Sequence, residues 1–242
     1  MTESLTARQT QILKSLIDEY IETAVPVGSE NLDKKYNLGV SPATIRSEMN
    51  TLTKNGYLKQ PHTSSGRIPT PLAMKFYIDQ LMEERQMSLT DEVKTKEDVW
   101  DSRRNLDSLL DETTRVLADR TKSLTVAATD EGKIWRAGFS NVFLNPEFAD
   151  LETCSNIFSV IEEVDKMTEL FFHRAVSGSP IDVLFGEDLE WPGFTPVGIV
   201  ATHFNVLGKN AALGVIGPVR TNYSTVIPIL KYFRSLMNEI SI

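Results

Sequence analysis

The residues of this chain whose types and spacing can do chemistry gather between Ser41 and Arg67. Ile45, Met49 and Leu52 stand at i, i+4 and i+7, the spacing of a helix's buried stripe, so Ala43, Thr44, Arg46, Ser47, Asn50 and Lys54 fall on its outer side. That face is small, polar and basic. Short side chains let a helix lie deep in a major groove, while Arg46 and Asn50 can hydrogen-bond base edges or phosphates. Further on, His62, Thr63 and Ser64 lead through Gly66 to Arg67, whose guanidinium suits a phosphate or a narrow minor groove. His62 fits a neutral imidazole that only satisfies the turn more readily than a specific DNA contact. The expected DNA contacts are therefore Ser41, Ala43, Thr44, Arg46, Ser47, Asn50, Lys54, His62, Thr63, Ser64 and Arg67.

Other chemistry finds little support. His62, His173 and His203 stand far apart and form no H-E-x-x-H or paired Cys/His pattern, so no metal site is expected. There is no P-loop or G-x-G-x-x-G. Gly214-Val215-Ile216-Gly217-Pro218 reads as a strand-to-helix connection, since Pro218 removes an amide donor from any phosphate cradle. Glu162, Glu163 and Asp188 lack an accompanying nucleophile or base, and the single cysteine, Cys154, reads as a buried structural thiol. Neither an enzyme nor a resident cofactor is expected. Phe194, His203 and Phe204 fit either a small-ligand pocket or core packing.

The basic face needs elements to hold it. Thr6 and Gln9 make a T-x-x-Q capping box for a helix over 7–24, whose inward side is Ile12, Leu13, Leu16, Ile17, Tyr20 and Ile21. Pro26 and Gly28 break it, Ser29 is placed to cap a short helix through Tyr36, and Asn37 to Val40 make a turn. Ser41 as N-cap, Pro42 at the first helical position and Gly56 as exit then bound the reading helix over 41–55. Tyr57 to Gln60 and Arg67 to Pro69 read as the two strands of a wing, and a helix restarts at Thr70 and Pro71 and runs through Leu81. Helix, short helix, turn and capped helix in that order make a helix-turn-helix.

The chain's length of 242 residues suits two modest domains. Hydrophobic residues at 41% and charged residues at 24% are ordinary for a soluble protein, and no apolar run approaches the ~20 residues that span a membrane. Met1 to Thr10 carries no basic stretch followed by an apolar one, so no secretion signal is expected and the cytoplasm is. The net charge of −8 is unevenly spread. From Ser29 to Lys75 seven basic residues face three acidic ones, a basic island in an acidic chain, as a DNA-binding module joined to a regulatory domain would show.

A polar, charged run suggests a linker over 83–98 between a DNA-binding domain over 1–82 and a regulatory domain over 99–242. Val99, Leu106, Leu109, Leu110, Thr113, Val116 and Leu117 form a helical stripe, either a dimer seam or a face packed on its own domain. Strands are expected over 124–128, 134–144, 181–185, 195–204 and 211–216, with the last two joined as a hairpin through Gly208-Lys209-Asn210. Long helices are expected over 146–176 and 222–240. The result is α+β, with a mostly antiparallel sheet in the second half.

The runs Pro26-Val27-Gly28-Ser29, Ser41-Pro42-Ala43-Thr44-Ile45-Arg46 and Pro61-His62-Thr63-Ser64-Ser65-Gly66-Arg67-Ile68-Pro69 resemble the heat-inducible transcription repressor HrcA family. Asn145-Pro146-Glu147-Phe148 and Gly214 through Tyr223 carry the likeness into the second half. The resemblance implies a winged helix-turn-helix repressor of chaperone genes that binds an inverted-repeat operator (CIRCE), a GAF-like C-terminal domain, and support of the active form by the GroEL chaperonin. It also implies an inserted dimerisation domain between the equivalents of Leu124 and Ile134, where this chain has only about ten residues. Inverted-repeat recognition still calls for a homodimer with reading helices ~34 Å apart. Two other readings stand beside this one: a winged-helix regulator of another operon with a small ligand in the C-terminal domain, and a chaperone-associated assembly protein that binds no DNA.

Overall fold

The computed structural model describes residues 5–63 and 65–241. The chain divides into two compact units, Met1–Glu83 and Glu84–Ile242.

In the first unit, helix α1 (Ala7–Thr23) opens on the expected capping box, with Thr6 and Gln9 each bonding the other's backbone amide. Helix α2 (Ser29–Tyr36) begins at Ser29 itself. Gly28 holds the N-cap position without a side-chain bond, which corrects the expectation that Ser29 caps. Helix α3 (Pro42–Lys54) is capped by Ser41 Oγ, which accepts from Thr44 N at 3.3 Å. Strands β1 (Leu58–Lys59) and β2 (Ile68–Pro69) pair antiparallel, and helix α4 (Pro71–Phe76) continues into a wider π turn over Tyr77–Leu81. Ile12, Leu13, Leu16 and Ile17 of α1 are buried, as are Leu32 of α2, the predicted stripe of α3 and Met74 of α4.

A buried carboxylate ties α1 to α2. Glu19 is 4% exposed and meets Lys35 Nζ at 2.6 Å, Asn31 Nδ2 at 3.1 Å and the Tyr36 hydroxyl at 3.2 Å. The Lys35 ammonium holds Glu19 below the usual glutamate range, and burial pushes Tyr36 up to about 12.

The second unit places helix α5 (Leu89–Trp100) within the segment expected as a linker. Ser88 caps it, Asp91 and Glu92 sit in its positive first turn, and Thr95 and Val99 are its buried residues. Helix α6 (Leu106–Thr121) buries Leu109, Leu110, Thr113, Val116 and Leu117 in its own domain, which settles the stripe as core. A five-stranded sheet has the order β4-β3-β7-β6-β5, antiparallel at every pairing: β3 (Leu124–Thr129), β4 (Ile134–Ala137), β5 (Asp182–Phe185), β6 (Val197–Val206) and β7 (Lys209–Pro218). Between β3 and β4 the chain reverses tightly, with Thr129 N bonded to Lys133 O at 2.9 Å and Gly132 N to Thr129 O at 3.0 Å.

The strand expected over 134–144 stops at Ala137. Gly138 takes φ +79° and turns the chain into helix α7 (Phe139–Val142). The helix expected over 146–176 is likewise broken into a 3₁₀ turn (Pro146–Phe148), α8 (Leu151–Glu162), α9 (Val164–Glu169) and a π turn (Leu170–Arg174). Arg136 explains the break after α8, because its Nε donates to Ile161 O at 2.7 Å and satisfies a carbonyl that a further turn would otherwise use. After the short α10 (Gly186–Leu189), helix α11 (Tyr223–Ile240) closes the fold. Leu124, Val126 and Ala128 point into a core with Ile157, Ile161 and Phe171, while Thr125 Oγ1 bonds Thr114 O of α6 at 2.8 Å. Both sheet faces are therefore covered, which accounts for the unbroken burial of β3.

Candidate nucleic-acid interface

Helix α3 presents Ala43, Arg46, Ser47, Asn50 and Lys54 as exposed residues along one side, as their spacing requires. Ser41 and Thr44 hold the cap, with their hydroxyls 3.0 Å apart. Glu48, the acid of this helix, is engaged from α1: Gln9 Nε2 donates to it at 3.1 Å and Arg8 Nη1 lies 3.6 Å away. The outward face is left basic.

The wing is built to keep its shape. Gln60 Nε2 donates to Thr63 O at 2.8 Å and to Ser65 O at 2.9 Å, while Ser65 N donates to His62 O at 2.9 Å. His62 and Thr63 are exposed on this turn, and Ser64 lies outside the described residues. Gly66 seats the hairpin: a Cβ there would lie 2.4 Å from the carbonyl carbon and oxygen of Val27, so no larger residue fits. Arg67 N and O then exchange hydrogen bonds with Val27 O and N at 2.8 and 2.9 Å.

The Arg67 side chain, expected to suit a phosphate or a narrow minor groove, is engaged within the protein. It is half-buried and turns back onto α3, donating from Nη2 to Asn50 Oδ1 at 2.8 Å and from Nε to Thr53 Oγ1 at 3.2 Å. Reading helix and wing are thus joined through the very residues that sequence assigned to separate contacts. A concavity of about 550 Å3 opens between α2, α3 and the wing, with Lys34, Arg46 and Arg67 as its cations and Glu30 as its acid. Lys34, Thr53, Gln60 and Ser65 lay outside the expected set. Only Lys34 carried a signal, as part of the basic island, because the roles of the other three depend on the wing folding back.

Elsewhere the described residues hold no group of three or more His, Cys, Asp or Glu side chains able to bind a metal ion, and no helix long and apolar enough to cross a membrane. Phe194 and Phe204 are buried in the core, while His203 is partly exposed with its Nε2 2.6 Å from Phe171 O. Cys154 is buried with its thiol on Phe148 O at 2.8 Å.

The HrcA protein C terminal domain matches residues 73–227. The heat-inducible transcription repressor HrcA of Carboxydothermus hydrogenoformans is 25% identical over 334 aligned positions, covering 96% of this chain and 97% of the relative. The alignment is longer than this chain's 242 residues, so that relative contains residues this chain lacks. The protein of the same name from Symbiobacterium thermophilum is 46% identical over 114 residues, 47% of this chain and 33% of the relative. A crystal structure described as a hypothetical protein matches with a TM-score of 0.75 at 16% identity, over 98% of this chain and 97% of its own, a likeness of fold. With its C-terminal domain matched over more than half of its residues, the chain belongs to the HrcA family.

Proposed function

We propose that this chain represses heat-shock and chaperone genes by reading an inverted-repeat operator of the CIRCE type as a homodimer. Transcription repression is the function named for its relatives. What carries the DNA-reading role is the exposed, basic outer side of α3 joined to a pinned wing. In this reading α3 enters the major groove. Ala43 and Ser47 allow close approach, Arg46 and Asn50 reach base edges, and Lys54, Lys34 and the wing residues His62 and Thr63 meet phosphates. Two such heads sit about one helical turn apart in the dimer. The protein works in the cytoplasm, and a chaperonin of the GroEL type raises the fraction able to bind.

The test is fluorescence anisotropy with a CIRCE duplex and a scrambled duplex at physiological salt. A preference of about 10³-fold or more is expected for the operator. Arg46→Ala is expected to reduce that preference by at least about tenfold. Equal affinity for the two duplexes would overturn the reading.

A further inference from the structure

The contact between Arg67 and Asn50 does something neither residue does alone. A guanidinium has five N–H donors and no acceptor, so the Asn50 amide can meet it at 2.8 Å only through Oδ1. Thr53 fixes the guanidinium's other edge. Its hydroxyl donates to Met49 O at 2.8 Å, leaving a lone pair to accept Arg67 Nε–H at 3.2 Å. The main chain of Arg67 is in turn paired with Val27, against which Gly66 is seated. Arg67 is held at both ends, and the exposed Asn50 amide keeps its Nδ2–H2 end for the groove.

An asparagine free to use both ends reads adenine, accepting from N6–H2 and donating to N7. Here Arg67 occupies one of the two lone pairs of Oδ1 and holds that end of the amide against the wing, which leaves the Nδ2–H2 end as the freer one. We infer that Arg67 is a positioning residue that turns the donor end of Asn50 toward the groove, favouring a keto edge (guanine O6 or thymine O4) over an amino edge (adenine N6 or cytosine N4) at the base it faces. The inference rests on the DNA-reading role proposed for α3. It assigns the wing a part in specificity, where a wing contacting only phosphate would contribute affinity.

The full chain is tested in two steps. Duplexes selected by the wild type from a randomised inverted-repeat pool define the site, and each base of a half-site is then exchanged between keto and amino forms. The wild type is expected to lose about tenfold in affinity at one position when keto becomes amino. In Arg67→Met that discrimination falls to within about twofold, or shifts toward adenine. Asn50→Ala also abolishes it, and adding Arg67→Met to Asn50→Ala removes no more at that position. Uniform weakening on every duplex, with the discrimination kept and the salt slope smaller by about 1, would make Arg67 a plain phosphate contact and overturn the proposal.

A DNA-free readout covers the case in which Arg67→Met binds too weakly to compare. The Asn50 side-chain amide resonances of the free protein are expected to shift in Arg67→Met, with the rest of the first unit's spectrum retained; an unmoved Asn50 amide overturns the pairing. Should the wild type select no sequence from the pool, the DNA-reading role itself fails, an outcome distinct from loss of the positioning role alone.

Discussion

Glu19 stabilises the junction of α1 and α2 through a charge that must stay ionised. Lys35, its strongest partner, holds its folded pKa below the 4.5 of an ordinary glutamate. As pH falls, the unfolded chain takes up this proton first. The clamp's contribution is therefore fully present above about pH 4.5 and is lost as pH drops through the depressed folded value. In urea unfolding at pH 7, Glu19→Gln is expected to be less stable than the wild type by about 1–3 kcal/mol, because Lys35, Asn31 and Tyr36 lose their charged acceptor. The gap should close toward pH 3, and a gap constant across that range would refute the role. Periodicity exposed Arg46, Ser47, Asn50 and Lys54 without help from the structure, since a helix's outer side follows once Ile45, Met49 and Leu52 are taken as inner. The pairing of Asn50 with Arg67 was not legible. It joins residues 17 apart across a hairpin, and its geometry depends on Gly66 resting on a backbone that sequence spacing does not reveal.

Among the elements, α1 to α4 were readable because each start carries a local signal: a capping box, an N-cap before proline, or a helix-breaking Pro and Gly. Helix α5 was not, and its composition explains why. Leu89 and Val93 are exposed, so its buried side is narrow and consists of Thr95 and Val99, which a charge count reads as linker. If α5 belongs to the folded second unit, a charge at the fully buried Thr95, as in Thr95→Asp, should lower that unit's stability by about 2 kcal/mol or more in thermal or urea unfolding. A linker residue would show no change. The broken helix over 146–176 failed for a related reason: hydrophobic spacing continues through Glu163, but the backbone turns extended there while Arg136, on a strand distant in sequence, takes the carbonyl of Ile161.

For the molecule as a whole, the acidic chain with a basic island fits a division in which a DNA-reading head is joined to a GAF-like unit. Two heads acting together should bind a full inverted repeat about 10²–10⁴-fold more tightly than a single half-site under the same salt. Equal affinity for the two duplexes would mean that each chain reads DNA alone. Mass measurement of the free chain and of the operator complex would then count the chains directly. The tight reversal between β3 and β4 bears on how the fold accepts insertions. It joins an edge strand to its neighbour at the surface, and the entropy of closing a loop there grows by only about 0.6 kcal/mol for each doubling of its length. A folded cassette inserted at that reversal would leave the pairing of the sheet in register at a loop-closure cost that rises only slowly with its length.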